Sequence, residues 1–293
     1  MTQLLQTVVL GLLIGGVYAL MAAGLTLVFG IMGIVNVAQG AFLVLVAMVT
    51  WKVWSLTGID PIVLALATTP AMFGLGWLLY RLVVVRVRQS TPAMSMLLTF
   101  GIALTIEGVL NVTAGNRFRS ATPAYFAESF HIGQVALPKA QVYGCAAALL
   151  VLGLLYLVLN RTWTGRAIRA SAQNPSGAAL VGISASTVAA LSFALGAATA
   201  GTGGSILSVL YPFFPASHYD WIAKLLGIIV LGGMGSLRGA WVGALILGLA
   251  ETATATYGSP RWSTLVFYAV ILLVLLVRPH GLFGTRLRED VAT

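Results

Sequence analysis

Charged residues are scarce in this sequence. Asp, Glu, Lys and Arg make up 8% of its 293 residues, whereas 59% are apolar. An ordinary soluble domain has about 25% charged residues, so the charges present cannot cover a water-soluble surface. They are also clustered, since residues 2–51 and 170–219 contain none of these four types. The composition excludes a soluble protein and predicts a polytopic membrane protein.

Cysteine is nearly absent as well. Cys145 is the only one, which excludes a disulfide within the chain and a metal site built from several thiolates. The first three residues include no basic side chain, and the apolar run after them is longer than the core of a signal peptide. We therefore expect the N-terminal stretch to be retained as a membrane span.

The sequence also lacks recognisable catalytic motifs. It contains no G-x-x-x-x-G-K-[ST] phosphate loop, no G-x-S-x-G nucleophile elbow and no H-E-x-x-H zinc motif. His131, His218 and His280 lie far apart in the sequence and are expected to be solvated near the membrane surface rather than metal ligands. The net charge is +9, but no basic helix face could follow a phosphate backbone. We predict no enzyme activity, no catalytic or metal-binding residues, no bound cofactor and no nucleic-acid partner.

Long apolar segments, in contrast, are abundant. Crossing about 30 Å of hydrocarbon takes roughly 20 helical residues, and nine segments approach or exceed that length. They are residues 4–30, 37–54, 61–80, 93–112, 142–159, 187–207, 221–237, 239–257 and 262–277. A polar break at Asn36 and Gln39 could reduce the number of spans to eight. We predict an all-α membrane bundle of eight or nine helices, some short or broken, in a single domain over residues 1–293.

Basic residues are distributed unequally between the loops. Cytoplasmic loops are enriched in Lys and Arg, and alternate loops here hold ten of the sixteen basic residues. These ten are Arg81, Arg86, Arg88, Arg161, Arg166, Arg169, Arg238, Arg278, Arg286 and Arg288. The other six, assigned to the opposite loops, are Lys52, Arg117, Arg119, Lys139, Lys224 and Arg261. The bias predicts a cytoplasmic C-terminus and, with nine spans, an N-terminus on the opposite side.

The segment between the fifth and sixth predicted spans, residues 161–186, contains the signals of a short helix. Asn174 is a good N-cap, Pro175 suits the first helical position, and Gly182 suits the position after the last turn. We predict a helix of about two turns over residues 175–181 on the cytoplasmic side.

This short helix has a small, smooth surface that suits a groove on a partner protein. Ala178 and Leu180 contribute to that surface, and Arg166 and Arg169 lie beside it. A surface loop whose arginines only add to the cytoplasmic charge explains the same residues. The residues alone leave both interpretations open.

Several stretches, taken in order, resemble one family. Residues 169–183, with the pattern Arg-Ala-x-Ala-x-Asn-Pro-x-x-Ala-x-x-x-Gly-Ile, resemble the coupling segment of permeases from branched-chain (hydrophobic) amino acid ABC importers. Residues 15–30 resemble the first helix of the smaller permease of that pair, and residues 232–239 resemble its glycine-rich turn. The resemblance as a whole extends over residues 4–284.

Two positions depart from the pattern of that family. Residues 36–40 resemble its Asn-x-Ala-His-Gly motif, but Gln39 replaces the histidine. Arg238 stands in the glycine-rich turn where a proline is common. The difference at Gln39 leaves open whether the ligand preference is typical of the family.

The resemblance implies a division of labour. A permease of this kind works in the bacterial inner membrane with a second permease, related or identical, with two cytoplasmic ABC ATPases and with a periplasmic substrate-binding protein. The ATPases would use the ATP, and this chain would bind none. The residues expected to couple the permease to the ATPases are Arg166, Arg169, Asn174, Pro175, Ala178, Leu180 and Gly182.

Two carboxylates lie within the predicted spans. Glu107 is in the fourth and Glu251 in the eighth, and a charge at bilayer depth costs about 3 kcal/mol on insertion scales. Such residues usually face a cavity or a partner, so either could line the translocation path and meet the amino group of a zwitterionic substrate. A protonated or hydrogen-bonded structural carboxylate is the alternative. Glu251 is the stronger candidate, because the family that the sequence resembles often has Glu at this place.

Broken helices supply the other candidates for the path. Asn36 and Gln39 interrupt an apolar run, and residues 225–237 are too short to cross the membrane as a helix. Paired short, glycine-interrupted segments indicate a central site in transport proteins, so Asn36 and Gln39 are placed on the translocation path. Close helix packing or a turn is expected of five glycines: Gly232, Gly233, Gly235, Gly239 and Gly243.

These observations predict the permease subunit of an ATP-driven importer of branched-chain or related amino acids. A stand-alone ion-coupled carrier or channel that uses Glu107 and Glu251 is the alternative, and a scaffold protein without transport is a third interpretation. The exact substrate stays open, because other amino acids, short amides and urea are handled by similar permeases. The pairing of two identical or two related permeases is open as well.

Overall fold

Helices dominate the computed structural model, which describes residues 2–87, 92–133 and 135–284. The α-helices are α1 (Thr2–Met32), α2 (Ala38–Thr57), α3 (Ala65–Leu79), α4 (Val85–Val87), α5 (Pro92–Ala114), α6 (Lys139–Arg161), α7 (Trp163–Gln173), α8 (Pro175–Leu180), α9 (Ala185–Leu210), α10 (His218–Gly232), α11 (Leu237–Tyr257) and α12 (Pro260–Val277). The strands are β1 (Ser129–Ile132) and β2 (Val135–Pro138). The predicted all-α bundle is confirmed.

The number of spans depends on how the broken helices are counted. Within the described ranges, six helices are long and apolar enough to cross a membrane, and the pair α10 and α11, bent by 115° at its break, adds a seventh if it is one span. The helix α3 has 15 residues and continues through a π-helical turn, Tyr80–Val84, into α4. The helix α10 also has 15 residues, about 22 Å. The predicted total of eight or nine spans stays a prediction.

The first two apolar segments form two separate helices. The helix α1 ends at Met32 and α2 begins at Ala38, and each is long enough to cross a membrane. Asn36 therefore lies between two complete helices rather than inside one. The helix α2 ends at Gly58, which adopts the left-handed conformation that favours glycine and donates its N–H to the Trp54 carbonyl.

Helix α9 forms the centre of the bundle. Nearly all of residues 188–209 are buried, and α1, α2, α3 and α6 pack around them. A Cβ built on Gly24 of α1 would lie 2.6 Å from the carbonyl oxygen of Gly196 on α9, so only glycine permits this approach. Small residues let helices pack closely in a membrane, where lipid is as apolar as the side chains.

The same kind of contact joins α1 to α11. A Cβ on Gly15 would lie 2.9 Å from the Leu245 Cα, and a Cβ on Gly11 would lie 2.8 Å from the Leu249 Cα. By contrast, α5 and α12 expose most of their apolar side chains, as expected of helices that face lipid or another subunit. The bundle therefore has a tightly packed middle and two looser edges.

The two ends of the bundle differ. At one end, β1 and β2 pair as an antiparallel hairpin, and the Gln6 side chain of α1 donates to the Ala136 carbonyl at 3.4 Å. Arg119 and Phe213 exchange two backbone hydrogen bonds of 2.8 and 2.9 Å nearby. We call this the hairpin end, and the opposite end, with α7 and α8, the coupling end.

The positions of the two ends relative to the membrane stay a prediction. It rests on the loop charges, and three of those arginines lie outside the described residues: Arg88, Arg286 and Arg288.

Replacing Gly24 with Ala should destabilise the protein, because the added methyl group strikes the backbone of α9. Overpacking of this kind costs roughly 1–3 kcal/mol, which lowers the thermal unfolding midpoint by about 5 °C. The midpoint of the purified protein in detergent measures the effect. Gly101→Ala in α5 is the control, because a Cβ there meets nothing within 4 Å. Equal midpoints for the two variants would contradict the close α1–α9 packing.

Candidate translocation and coupling sites

Three polar side chains meet where α1, α10 and α11 come together. Lys224 Nζ lies 2.8 Å from Glu251 Oε1, and the Tyr18 hydroxyl donates to Glu251 Oε2 at 2.7 Å. Lys224 Nζ also donates to the Tyr18 hydroxyl oxygen, at 3.2 Å. We call these three residues the Lys224 cluster. Both carboxylate oxygens have a donor, and the opposite charges of Lys224 and Glu251 cancel.

Aromatic rings surround the ammonium group of the Lys224 cluster. Lys224 Nζ lies 5.4 Å from the ring centre of Tyr18, 5.6 Å from that of Trp221 and 5.5 Å from that of Phe267. The Tyr211 hydroxyl is 3.1 Å from that of Tyr18 and extends the hydrogen-bond chain. Aromatic faces attract cations, so this pocket holds a positive charge through the rings as well as through Glu251.

The Lys224 cluster is enclosed but not sealed. The side chains of Lys224 and Glu251 are 15% and 17% exposed, whereas Tyr18 is buried. Removing one partner of a buried ion pair leaves an unpaired charge at a cost of roughly 3–5 kcal/mol, yet replacing both partners is often neutral. The pair therefore neutralises two charges at depth and adds little net stability.

A second polar contact, between a histidine and a carboxylate, links α5 to α10. His218 Nε2 lies 2.9 Å from Glu107 Oε2, and the histidine side chain is almost completely buried. In the part of the chain that the structure describes, His218 Nδ1 has no hydrogen-bond partner. Gly40 of α2 makes room for this residue, because a Cβ there would lie 2.5 Å from the His218 carbonyl oxygen. The expectation that His218 is solvated near the membrane surface is wrong.

The structure does not bring the two carboxylates into one site. Glu251 is held by Lys224, whereas Glu107 is held by His218 at the start of the same helix, α10. The assignment of Lys224 to an outer loop is also wrong, since it lies inside α10. A signal was present in the sequence, because Lys224 falls within an apolar segment and a charge there usually needs a partner. Nothing in the sequence pointed to Tyr18.

Asn36 lies in the break between α1 and α2, Gln39 lies in the first turn of α2, and both are completely buried. Gln39 Nε2 donates to the Gly196 carbonyl at 3.0 Å and to Thr199 Oγ1 at 3.4 Å, both on α9. The Asn36 amide group has no partner within residues 2–87, 92–133 and 135–284. Gln39 therefore ties the break to the central helix. The place of both residues on a translocation path stays a prediction.

The glycine-rich turn joins α10 to α11 beside the end of α1. Gly233 and Gly235 have φ values of +100° and +83°, in the region that favours glycine. A Cβ on Gly232 would lie 2.6 Å from the Ala240 nitrogen, and a Cβ on Gly30 would lie 3.2 Å from the Gly235 carbonyl oxygen. The break between α10 and α11 thus contacts the region where α1 ends.

Two further glycines let α11 fold back tightly on α10. A Cβ on Gly239 would lie 2.8 Å from the Gly232 carbonyl carbon, and a Cβ on Gly243 would lie 2.8 Å from the Ile228 carbonyl oxygen. At both positions the backbones of α10 and α11 are in close contact, which is the close packing that the sequence predicted for these glycines.

The coupling end contains the short helix that the sequence predicts. It spans Pro175–Leu180, one residue shorter than expected. Asn174 caps it by accepting a 2.8 Å hydrogen bond from the Gly177 N–H, and Gly182, with φ +82°, follows its end. The helix α8 therefore begins and ends at the capping signals that its own sequence contains.

Exposure divides the coupling segment into two faces. Leu180 is 89% exposed and Val181 is 75% exposed, although both are apolar. Ala178, which was expected on the outer surface, is buried and packs toward the bundle together with Ile168. The exposed surface therefore includes Val181 as well as Leu180, and it is more apolar than the sequence predicted.

The two arginines of the segment lie on α7. The Arg166 guanidinium stacks over the exposed Trp163 ring at 5.3 Å, and Arg169 donates to the Asn160 side chain. Both therefore brace α7 locally, and their part in coupling stays a prediction.

Comparison with known proteins identifies transport permeases. Residues 7–275 match the family described as branched-chain amino acid transport system, permease component. The chain is 31% identical to the high-affinity branched-chain amino acid transport system permease protein LivH of Escherichia coli K12, over 96% of this chain and 95% of that one. It is 28% identical to the corresponding permease protein BraD of Pseudomonas aeruginosa PAO1, with the same coverage. No solved structure matches the chain.

Replacing Tyr18 with Phe should destabilise the protein, because it removes the donor to Glu251 Oε2 and leaves that buried oxygen without a partner. A hydrogen bond to a charged group contributes about 1.5–3 kcal/mol. The free energy of unfolding in mixed detergent micelles measures the loss. Tyr156→Phe is the matched control, since Tyr156 is exposed on α6. If both variants lose the same stability, the Lys224 cluster is not bonded as described.

Proposed function

The chain belongs to the family of permease components of branched-chain amino acid transport systems, and we propose that its substrate is a branched-chain amino acid such as leucine. It is a multi-pass membrane permease and not itself an enzyme. The observation that carries the proposal is the extent of the match. It covers residues 7–275, which include both helix breaks, the Lys224 cluster and the coupling segment.

The permease would work in the bacterial inner membrane as part of a larger assembly. Its partners would be a second permease, related or identical, two cytoplasmic ABC ATPases and a periplasmic binding protein that delivers the substrate. The chain has no phosphate loop, so the ATPases would bind and hydrolyse the ATP. The bias of basic residues supports a coupling end and a C-terminus in the cytoplasm, with the hairpin end and the N-terminus in the periplasm.

The coupling segment is the proposed contact with the ATPases. Leu180 and Val181 place apolar surface on a structured helix that has no membrane function of its own, and a groove on a partner would remove that surface from water. The helix α8 leads directly into α9, whose first turn is capped by Ser184 through a hydrogen bond to the Thr187 N–H. A displacement of α8 is therefore transmitted to the central helix of the bundle.

The helix breaks are the proposed hinges of alternating access. The break after α1 and the break between α10 and α11 contact each other through Gly30 and Gly235. Both contain glycines at positive φ, Gly33 and Gly233 among them. Broken helices at membrane depth are typical of transport proteins, in which rigid parts rock about a central site. Movement of α9 would thus change how the two halves of the bundle meet.

An ion-coupled carrier has less support. The family that residues 7–275 match is described as the permease component of a transport system, whereas such a carrier works alone. A structured cytoplasmic helix with exposed leucine would also have no purpose in a carrier that works alone.

Replacing Leu180 with Glu should uncouple the permease from its ATPases, because it puts a charge into the proposed contact. Leucine uptake in cells that express the complete transporter is expected to fall about ten-fold or more, the factor that corresponds to 1.4 kcal/mol. The ATPases should no longer co-purify with the permease.

Leu56→Glu is the control for this experiment. It makes the same change at another exposed leucine, at the end of α2 opposite the coupling segment. Both variants should reach the membrane in normal amounts. Normal uptake with Leu180→Glu would contradict the proposed role of α8.

A further inference from the structure

The Lys224 cluster is not needed to hold its helices together. The contact of α1 with α11 is made by glycines against backbone, at Gly11 and Gly15. The helix α11 also packs on α10 through Gly239 and Gly243. Since a buried ion pair adds little net stability compared with apolar groups of the same volume, packing gives no reason for Lys and Glu at these positions.

The Lys224 cluster has the properties of a binding site whose two charged groups are paired with each other. The ion pair retains some exposure, at 15% and 17% of its side chains, so it borders the surface of the bundle rather than the sealed core. Three aromatic rings face the ammonium group. Tyr18 holds the second carboxylate oxygen and would keep Glu251 in place if Lys224 moved away.

A free amino acid has the same two charges as the ion pair. Its ammonium and carboxylate groups are attached to one carbon atom, and both must lose water to pass through an apolar bundle, which is costly unless each finds an opposite charge. Inserted between Lys224 and Glu251, the substrate carboxylate would bind the lysine and its ammonium group would bind the glutamate. In the bound state each of the four charges then has an opposite neighbour.

We propose that Lys224 and Glu251 form a binding site for the charged backbone of an amino acid substrate, and that their ion pair is the closed state of this site. The rings of Tyr18, Trp221 and Phe267 supply further stabilisation for the substrate ammonium group. The site recognises the ammonium and carboxylate groups of the amino acid and not its side chain. Residues outside the Lys224 cluster therefore determine which amino acids are selected. This inference rests on the proposed function, because it requires that amino acids pass through the bundle.

The test compares single and double variants of the complete transporter in proteoliposomes. Lys224→Met and Glu251→Gln, made singly, leave one charge unpaired and are expected to reduce the yield of assembled transporter. The double variant has no unpaired charge, so its yield should recover. Its ratio of leucine taken up to ATP hydrolysed is nevertheless expected to fall about ten-fold or more.

A merely structural ion pair predicts a different result. In that case the double variant regains the wild-type ratio of uptake to hydrolysis, which would overturn the inference. The control is Lys139→Gln with Glu128→Gln, which removes the ion pair of the hairpin end and should leave the ratio unchanged.

A second variant decides the matter if the double variant does not assemble. Lys224→Arg retains the positive charge, but its planar guanidinium group is larger than an ammonium and binds a carboxylate with a different, forked hydrogen-bond geometry. A binding site predicts a lower uptake per ATP hydrolysed, and an unchanged ratio would overturn the inference. If the wild-type transporter takes up no leucine at all, the proposed function fails instead.

Discussion

A charge inside an apolar bundle has to be neutralised where it stands, and this constraint shapes the region around α10. Lys224 and His218 of that short helix each hold a carboxylate from a different neighbour, Glu251 on α11 and Glu107 on α5. The helix α10 is too short to cross the bilayer alone. The Lys224–Glu251 pair places opposite charges side by side inside the bundle, which is the chemistry that a zwitterion needs.

Glycine makes the rest of the arrangement possible. Gly24 lets α1 approach α9, and Gly15 lets it approach α11, so the long first helix connects the central helix to the charged region. Gln39 ties the first break to α9, while Gly30 and Gly235 bring the two breaks together. A continuous set of close contacts therefore connects α8 to α9 and α9 to the broken helices. A displacement of the coupling segment can be transmitted along these contacts.

The sequence predicted local features well and pairings poorly. The apolar segments, the Asn174 cap and the turn after Gly182 follow from composition and capping rules, which act within a few residues. The predicted positions of Lys224 and His218 were wrong because their partners lie far away in the chain. Counting the charges in each loop gives no information about contacts between helices. Ala178 was expected on the outside because its small size does not reveal which face of α8 meets the bundle. The polar break at Asn36 left the number of spans at eight or nine, since length alone does not fix how a broken helix crosses the membrane.

In the proposed function, the bundle moves its substrate only when separate subunits hydrolyse ATP and act on α8. The most direct measurement is leucine uptake into proteoliposomes that contain the permeases and ATPases, with binding protein outside and ATP inside. Uptake should stop when the ATPases carry a substitution that allows ATP binding but blocks hydrolysis. Uptake that continues at the wild-type rate under those conditions would contradict the account.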